Sequence, residues 1–204
     1  MDNFMGLESR FAARVTELLS VHSQSDLDSC RELLHALNDM VAGVRACPPD
    51  LQDLRLLLED VHDFLVVSDY AVRAMLFRLF RHCLTGPASC QALLDLEYHW
   101  PIIISLERDH DYVMERKEAL KLIHHMVLLS DPQDFPLAFA RALSTIGGQS
   151  KEDLRLEALE ALRCLALRNC ALCALADGFH TLFDAVLEPS TADIAEPILI
   201  TIIR

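Results

Sequence analysis

One arrangement of apolar side chains recurs along the chain at intervals of roughly 37 to 43 residues. Apolar residues occupy positions i, i+3, i+4, i+7 and i+8, a spacing that places them on one face of an α-helix. Complete copies begin at Leu76, Ala119, Ala158 and Ala195, and an imperfect copy begins at Leu34. The interval is close to the period of about 40 to 47 residues in armadillo and HEAT repeats.

The template residues define the predicted core. They are Leu34, Leu37, Val41 and Ala42, with polar Asn38 between them; Leu76, Leu79, Phe80, Cys83 and Leu84; Ala119, Leu122, Ile123, Met126 and Val127; Ala158, Ala161, Leu162, Leu165 and Ala166; and Ala195, Ile198, Leu199, Ile202 and Ile203. Other segments, among them residues 4–19, 27–44, 51–67 and 134–146, also have the composition of helices.

An arginine lies three residues before four of the five copies. These residues are Arg31, Arg73, Arg116 and Arg155, whereas the fifth copy has Ala192. We interpret the four arginines as structural repeat positions. The guanidinium groups of Arg73, Arg116 and Arg155 are expected to bond an acidic group or a backbone carbonyl of the neighbouring repeat, an interaction that contributes about 1.5–3 kcal/mol.

The repeats predict an all-α fold, a right-handed α-solenoid of armadillo/HEAT type. We expect one armadillo-like domain over residues 1–204, with divergent helices in 1–66 and clearer repeats in 67–204. The fifth copy runs to Arg204 with no following helix to cover its apolar face. Because a solenoid needs polar terminal repeats, this pattern favours the N-terminal portion of a longer solenoid.

Local signals place the ends of the helices. Asp69, Asp131 and Asp153 precede apolar-periodic segments and are predicted N-caps. Gly148 and Gly178 follow helical segments and are predicted C-caps, where positive φ is frequent.

Charge and composition narrow the partners. The formal net charge is −13, and such an acidic chain repels phosphate backbones and anionic lipid. We therefore predict protein partners and no nucleic acid. No apolar run reaches the ~20 residues of a membrane span, and residues 1–11 lack the apolar core of a signal peptide. The prediction is a cytoplasmic protein without a transmembrane segment, whose seven cysteines stay reduced.

The candidate chemistry is sparse. Cys170 and Cys173 form a CxxC, and Cys164 and His180 would complete four zinc ligands. Since both residues of the CxxC lie in an Ala/Leu-rich helical run, packed core cysteines are the favoured interpretation, with zinc or redox use as alternatives. The adjacent His124 and His125 diverge by about 100° on a helix and cannot chelate one ion together. Nucleotide-binding and hydrolase motifs are lacking, so we predict no enzyme, no catalytic residue, no metal and no cofactor.

Armadillo proteins that clamp extended peptides carry a ladder of Trp and Asn on the groove-lining helix. The corresponding positions here are Arg78 and His82, Lys121 and His125, and Glu160 and Cys164. None of the six is Trp or Asn, and the single tryptophan, Trp100, lies elsewhere. This disfavours a peptide clamp of the transport-receptor type and favours domain-to-domain packing.

Several segments together resemble the Rictor/pianissimo family, in its N-terminal armadillo region. They are Val72-Arg73-Ala74, Glu115 to Ile123, Asp134-Phe135-Pro136, Leu165 to Asn169, Asp177-Gly178-Phe179 and Pro197 to Thr201. The resemblance covers residues 69–204, about two thirds of the chain.

The resemblance implies a non-catalytic scaffold of TOR complex 2. Such a subunit joins the TOR kinase and the other subunits, and supports signalling to AGC-type kinases, growth and the cytoskeleton. It transfers no binding residues to this sequence. The alternative is an unrelated armadillo/HEAT protein-interaction adaptor.

Overall fold

The computed structural model describes residues 27–67, 69–108, 110–149, 153–188 and 191. Within these ranges the chain is helical and contains no strand, as predicted. The helices are α1 (Leu27–Ala46), α2 (Leu51–Val67), α3 (Tyr70–Cys83), α4 (Pro87–Asp95), α5 (His99–Leu106), α6 (Val113–Leu129), α7 (Leu137–Gly148), α8 (Arg155–Arg168), α9 (Cys170–Leu175) and α10 (Gly178–Leu187), with a 3₁₀ turn at His110–Tyr112. The chain divides into two compact units, Met1–Leu122 and Ile123–Arg204.

In the first unit, α1 packs on α3, and α2 packs on both α3 and α4. Tyr98 lies at the centre of this packing and is fully buried. Its ring meets Phe80 and His62 edge-on, and its hydroxyl donates to the carbonyl of Leu58. A buried tyrosine whose hydroxyl has an acceptor adds a directional tie to an apolar core.

In the second unit, α7 packs on α8 and α10, and the short α9 contacts all three. Ser144 and Thr181 form a buried hydroxyl pair at 2.7 Å, where α7 meets α10. Arg168 and Asn169 tie the end of α8 to the preceding loop, since they donate to the carbonyls of Ser130 and Pro132 at 2.8 and 2.6 Å. The Asn169 side chain also accepts from the backbone of Leu172 and thereby caps α9.

The template residues from Leu76 to Ala166 are all buried, which confirms the three central copies as inward-facing helix faces. The copy that begins at Leu34 was only partly correct. Ala42 is exposed, and the buried face of α1 consists of Leu37, Val41 and Val44 instead. The Ala195–Ile203 copy and the 4–19 segment lie outside the described residues.

One predicted N-cap is confirmed. The Asp69 carboxylate accepts from the backbone of Ala71 at 2.9 Å at the start of α3. The other two were wrong. Asp131 accepts from the backbone of Gln133 in a turn, and α7 begins later, after Pro136. Asp153 also lies in a turn, and α8 begins without a side-chain cap after Leu154.

The two predicted glycine caps were also wrong. Among the described residues no glycine has positive φ, whereas Glu97 (φ 60°) and Asp177 (φ 56°) do. Gly178 is the first residue of α10, and its lack of a side chain lets neighbouring residues pack close to its backbone. A Cβ there would lie 2.6 Å from Cys173 Sγ and 2.8 Å from Leu162 Cδ1. A side chain at Gly178 would therefore force apart the packing among α8, α9 and α10.

Candidate functional site

The repeat arginine of α3 lies in a buried ionic cluster. Arg73 donates to both carboxylate oxygens of Glu115, at 2.8 and 2.9 Å. Ser105 also donates to this carboxylate, and Arg108 Nε lies 3.4 Å from it. Glu115 has no solvent exposure and Arg73 is 6% exposed. A two-point guanidinium–carboxylate contact of this kind fixes geometry as well as charge.

Arg116, the next repeat arginine, makes a different bond. Its Nε donates to the carbonyl of Leu106, the last residue of α5, at 3.1 Å. The carbonyls in the last turn of a helix have no intrahelical partner, so the buried guanidinium satisfies one of them. Arg116 thus ties the start of α6 to the end of α5 inside the first unit.

Arg155, in the second unit, combines both kinds of partner. Its Nε donates to the carbonyl of Gly147 at 3.0 Å, near the end of α7. Its two terminal nitrogens contact the carboxylate of Glu188. These hydrogen bonds raise the pKa of Arg155 and lower the pKa of Glu188. The guanidinium therefore connects the end of α7 to Glu188, the residue that follows α10.

The fourth predicted position, Arg31, is exposed on α1. The four arginines are not brought together at one site: three are buried beside different helix ends. Glu115, the partner of Arg73, accepts three hydrogen bonds from Arg73 and Ser105, which suits it to hold a fold rather than to move protons.

The six positions that correspond to a peptide-binding ladder are all half-buried, as groove-lining residues would be. They are Arg78, His82, Lys121, His125, Glu160 and Cys164. Charged interactions dominate around them. In the first unit Glu118 contacts both Arg81 and Lys121, at 3.1 and 3.0 Å. The sequence template did not find this cluster, although Arg81 and Glu118 are one repeat apart.

In the second unit Glu160 pairs with Arg163, and this hydrogen bond lowers the pKa of Glu160. Burial lowers the pKa of the nearby His124, which the Glu160 charge opposes. The six positions carry mixed charge, and none of them is the Trp or Asn of a peptide clamp.

The CxxC is not packed as a unit, which corrects the prediction that both cysteines belong to the core. Cys173 is fully buried, and burial raises its pKa to about 12. Cys170 is exposed instead, because it is the first residue of the short α9. In the described part of the chain no group of three or more His, Cys, Asp or Glu residues lies close enough together to hold a metal ion. A buried thiol with a raised pKa is a poor nucleophile.

Sequence comparison supplies the family. Residues 34–204 match the family described as "Rapamycin-insensitive companion of mTOR, N-term". The chain belongs to this family. Protein pianissimo A of Dictyostelium discoideum is 31% identical over 174 residues, 83% of this chain. The proteins named rapamycin-insensitive companion of mTOR from Mus musculus and Homo sapiens are 28% and 27% identical over 136 residues, 65% of this chain. The resemblance to Rictor and pianissimo is thereby confirmed.

The matched region is a small part of these relatives. It covers 15% of pianissimo A and 8% of the mouse and human proteins. None of the helices in the described ranges is long and apolar enough to cross a membrane.

Proposed function

We propose that this chain is a non-catalytic scaffold segment of TOR complex 2, acting in the cytoplasm. In this role it contacts the TOR kinase and other subunits, and so supports signalling to AGC-type kinases, growth and the cytoskeleton. The family match over residues 34–204 carries the proposal. It also disfavours an unrelated armadillo adaptor, because the match extends through the template copies that begin at Leu76, Ala119 and Ala158.

The chemistry of the described residues supports a binding role. The buried polar groups serve the fold: Glu115 is enclosed by donors, and Arg116 and Arg155 satisfy carbonyls near helix ends. Several titratable groups near the surface pair with one another, as Glu118 does with Arg81 and Lys121. Paired charges on a helical surface suit recognition of another protein better than proton transfer.

We further propose that the helices form one right-handed solenoid of armadillo type over residues 1–204, as part of a longer array. The recurrent arginine is its repeat determinant at Arg73, Arg116 and Arg155. In each case the guanidinium bonds near the end of another helix or to a residue one repeat away. Arg31, which is exposed, marks a divergent first repeat.

The test is affinity purification of the protein at its natural level from the cells that make it, followed by quantitative mass spectrometry. The TOR kinase should be enriched with it. A variant with Arg81→Glu and Lys121→Glu reverses the charge around Glu118 without touching the buried arginines. It should retain its circular dichroism spectrum, and it should lose TOR kinase if this surface contributes to the contact.

Failure to enrich the TOR kinase with the wild-type protein would overturn the proposed complex. Normal enrichment with the folded double variant would place the contact elsewhere on the chain. The control is Arg141→Glu, an exposed position on α7.

A further inference from the structure

The chain's single tryptophan lies on the surface. Trp100 is 57% exposed and Ile104 is 53% exposed, and both belong to α5. Residues four apart on a helix are neighbours on the same face, so the two side chains form one apolar strip. Tryptophan is strongly enriched among residues that dominate binding energy in protein interfaces. The opposite side of α5 is buried through Ile102 and Leu106.

A glutamate lies at each end of this apolar strip. Glu97 lies two residues before the start of α5, and its carbonyl accepts from the backbone of Trp100 at 3.1 Å. Glu107 caps the other end, where its backbone donates to Ile103. Both side chains are exposed, and neither has a hydrogen-bond or ion-pair partner within the described ranges. The neighbouring Arg108 does not neutralise them fully, because it contacts Glu115 and lies over the Tyr112 ring.

The backbone of Glu97 adopts a conformation that is unfavourable for glutamate. Its amide donates to Leu94, and the amide of Tyr98 donates to Leu93, which together form a Schellman ending for α4. The residue at this position is left-handed, here with φ 60°, and is usually glycine. A non-glycine residue kept in a strained conformation on the surface points to a use for its side chain.

We propose that Glu97, Trp100, Ile104 and Glu107 form a docking strip for an amphipathic helix of a protein partner, with Lys or Arg beside its apolar face. The apolar side chains of the partner cover Trp100 and Ile104, and its cations meet the two glutamates. Charge complementarity selects this occupant, since the chain carries a net charge of −13 and the carboxylates at both ends have no partner among the residues that the structure describes. The same acidity opposes anionic lipid and nucleic acid.

This inference rests on the proposed protein-holding role but not on the identity of the complex. The probe is a fluorescein-labelled 18-residue helical peptide of Leu, Ala and Lys, with Leu on one face and Lys beside it. Binding is followed by anisotropy, and Trp100 emission reports burial at the strip. We expect saturable binding with a blue shift, whereas a peptide with Glu in place of Lys should not bind.

The variants separate the parts of the strip. Ile104→Ala should weaken binding about tenfold, as truncation at the centre of an interface does. Glu97→Gln should weaken it about two- to fivefold, the effect of one exposed ion pair. Leu167→Ala, a matched control at a half-exposed leucine of α8, should bind as the wild type. Glu97→Gly is diagnostic because it should raise the melting temperature while weakening binding.

Several results would overturn the docking strip. One is that Trp100 emission does not shift when the Lys peptide is added, and another is that the Lys and Glu peptides bind equally well. A third is that Leu167→Ala weakens binding as much as Ile104→Ala does. The last is that vesicles of phosphatidylcholine and phosphatidylserine shift Trp100 emission as much as the Lys peptide does. The proposed complex is judged separately. Peptide binding without TOR kinase enrichment from cells would overturn the complex alone, and the reverse result would overturn the strip alone.

Discussion

Each of the two units contains an arginine–glutamate pair that connects helices, and the two pairs differ in how far they are exposed to solvent. In the first unit Glu115 is fully buried beside Arg73, with Ser105 and Arg108 nearby. In the second unit Glu188 pairs with Arg155, but its side chain is 41% exposed. Each guanidinium contacts both carboxylate oxygens, Arg73 through Nε and one terminal nitrogen and Arg155 through its two terminal nitrogens, and the largest difference between the pairs is burial.

Burial changes what the loss of a partner costs. A carboxylate left alone in a low-dielectric interior cannot recover its solvation, so breaking a buried pair costs more than the pair itself contributes. At the surface, water replaces the lost partner and exposed pairs contribute little. The repeat arginine at Arg73 is therefore expected to be indispensable for folding, and the contact of Arg155 with Glu188 to be an adjustable one.

The largest effect is expected for Arg73→Ala. It leaves Glu115 buried with only Ser105 and Arg108 beside it, and should lower the free energy of unfolding by about 3–5 kcal/mol. Urea denaturation followed by circular dichroism measures this loss. Arg78→Ala on the same helix is the control, because Arg78 is half-buried. Equal losses in the two variants would show that Glu115 is not dependent on Arg73.

A steric contact dominates in the second unit. Gly178→Ala places a Cβ against Cys173 Sγ and 3.0 Å from the Cys173 carbonyl oxygen, which cannot move away easily. The expected cost of overpacking is about 1–3 kcal/mol. Gly148→Ala provides a matched control, since its Cβ would meet nothing closer than Thr181 Oγ1 at 4.0 Å. That variant should be neutral or slightly stabilising; the prediction fails if both glycines respond alike.

The contribution of the Arg155–Glu188 pair to stability should be detectable mainly as a change in melting temperature at acidic pH. Arg155 lowers the pKa of Glu188 below its ordinary 4.5, so the pair stabilises the fold above that pH and the contribution is lost as pH falls through the folded-state pKa. Glu188→Gln should melt below the wild type at pH 7, and the two melting temperatures should converge in acid. A constant difference at every pH would mean that the glutamine disturbs packing rather than charge.

Sequence periodicity predicted the helix faces because burial follows the 3.6-residue period, as the complete burial of Leu76, Ala119 and Ala158 illustrates. It also located the arginines, but not their partners. The Glu115 partner depends on which helix ends meet, and this is set by loop lengths that no local pattern encodes. The glycine errors have a similar origin. The requirement for a glycine at Gly178 comes from the close approach of Cys173 and Leu162, which belong to two other helices.

The exposed residues were the hardest to interpret from sequence. Trp100 stood out only as a tryptophan missing from the ladder positions, and nothing in the local pattern distinguished an exposed ring from a core one. Its neighbour Tyr98, two residues earlier, is fully buried. The left-handed backbone at Glu97 was equally hidden, because glutamate is a poor predictor of that conformation.

The smallest effect is expected at His124, also in the second unit. Its pKa is lowered from 6.5 chiefly by burial, with His125 and Arg163 acting in the same direction and Glu160 opposing them. The folded state thus binds fewer protons than the unfolded chain, and stability should decline as pH falls below about 6.5. His124→Gln should flatten the dependence of the melting temperature on pH between pH 7 and 5. Were the variant to keep the wild-type slope, the acid response would belong to the carboxylate pairs alone, and Glu188→Gln would have to account for all of it.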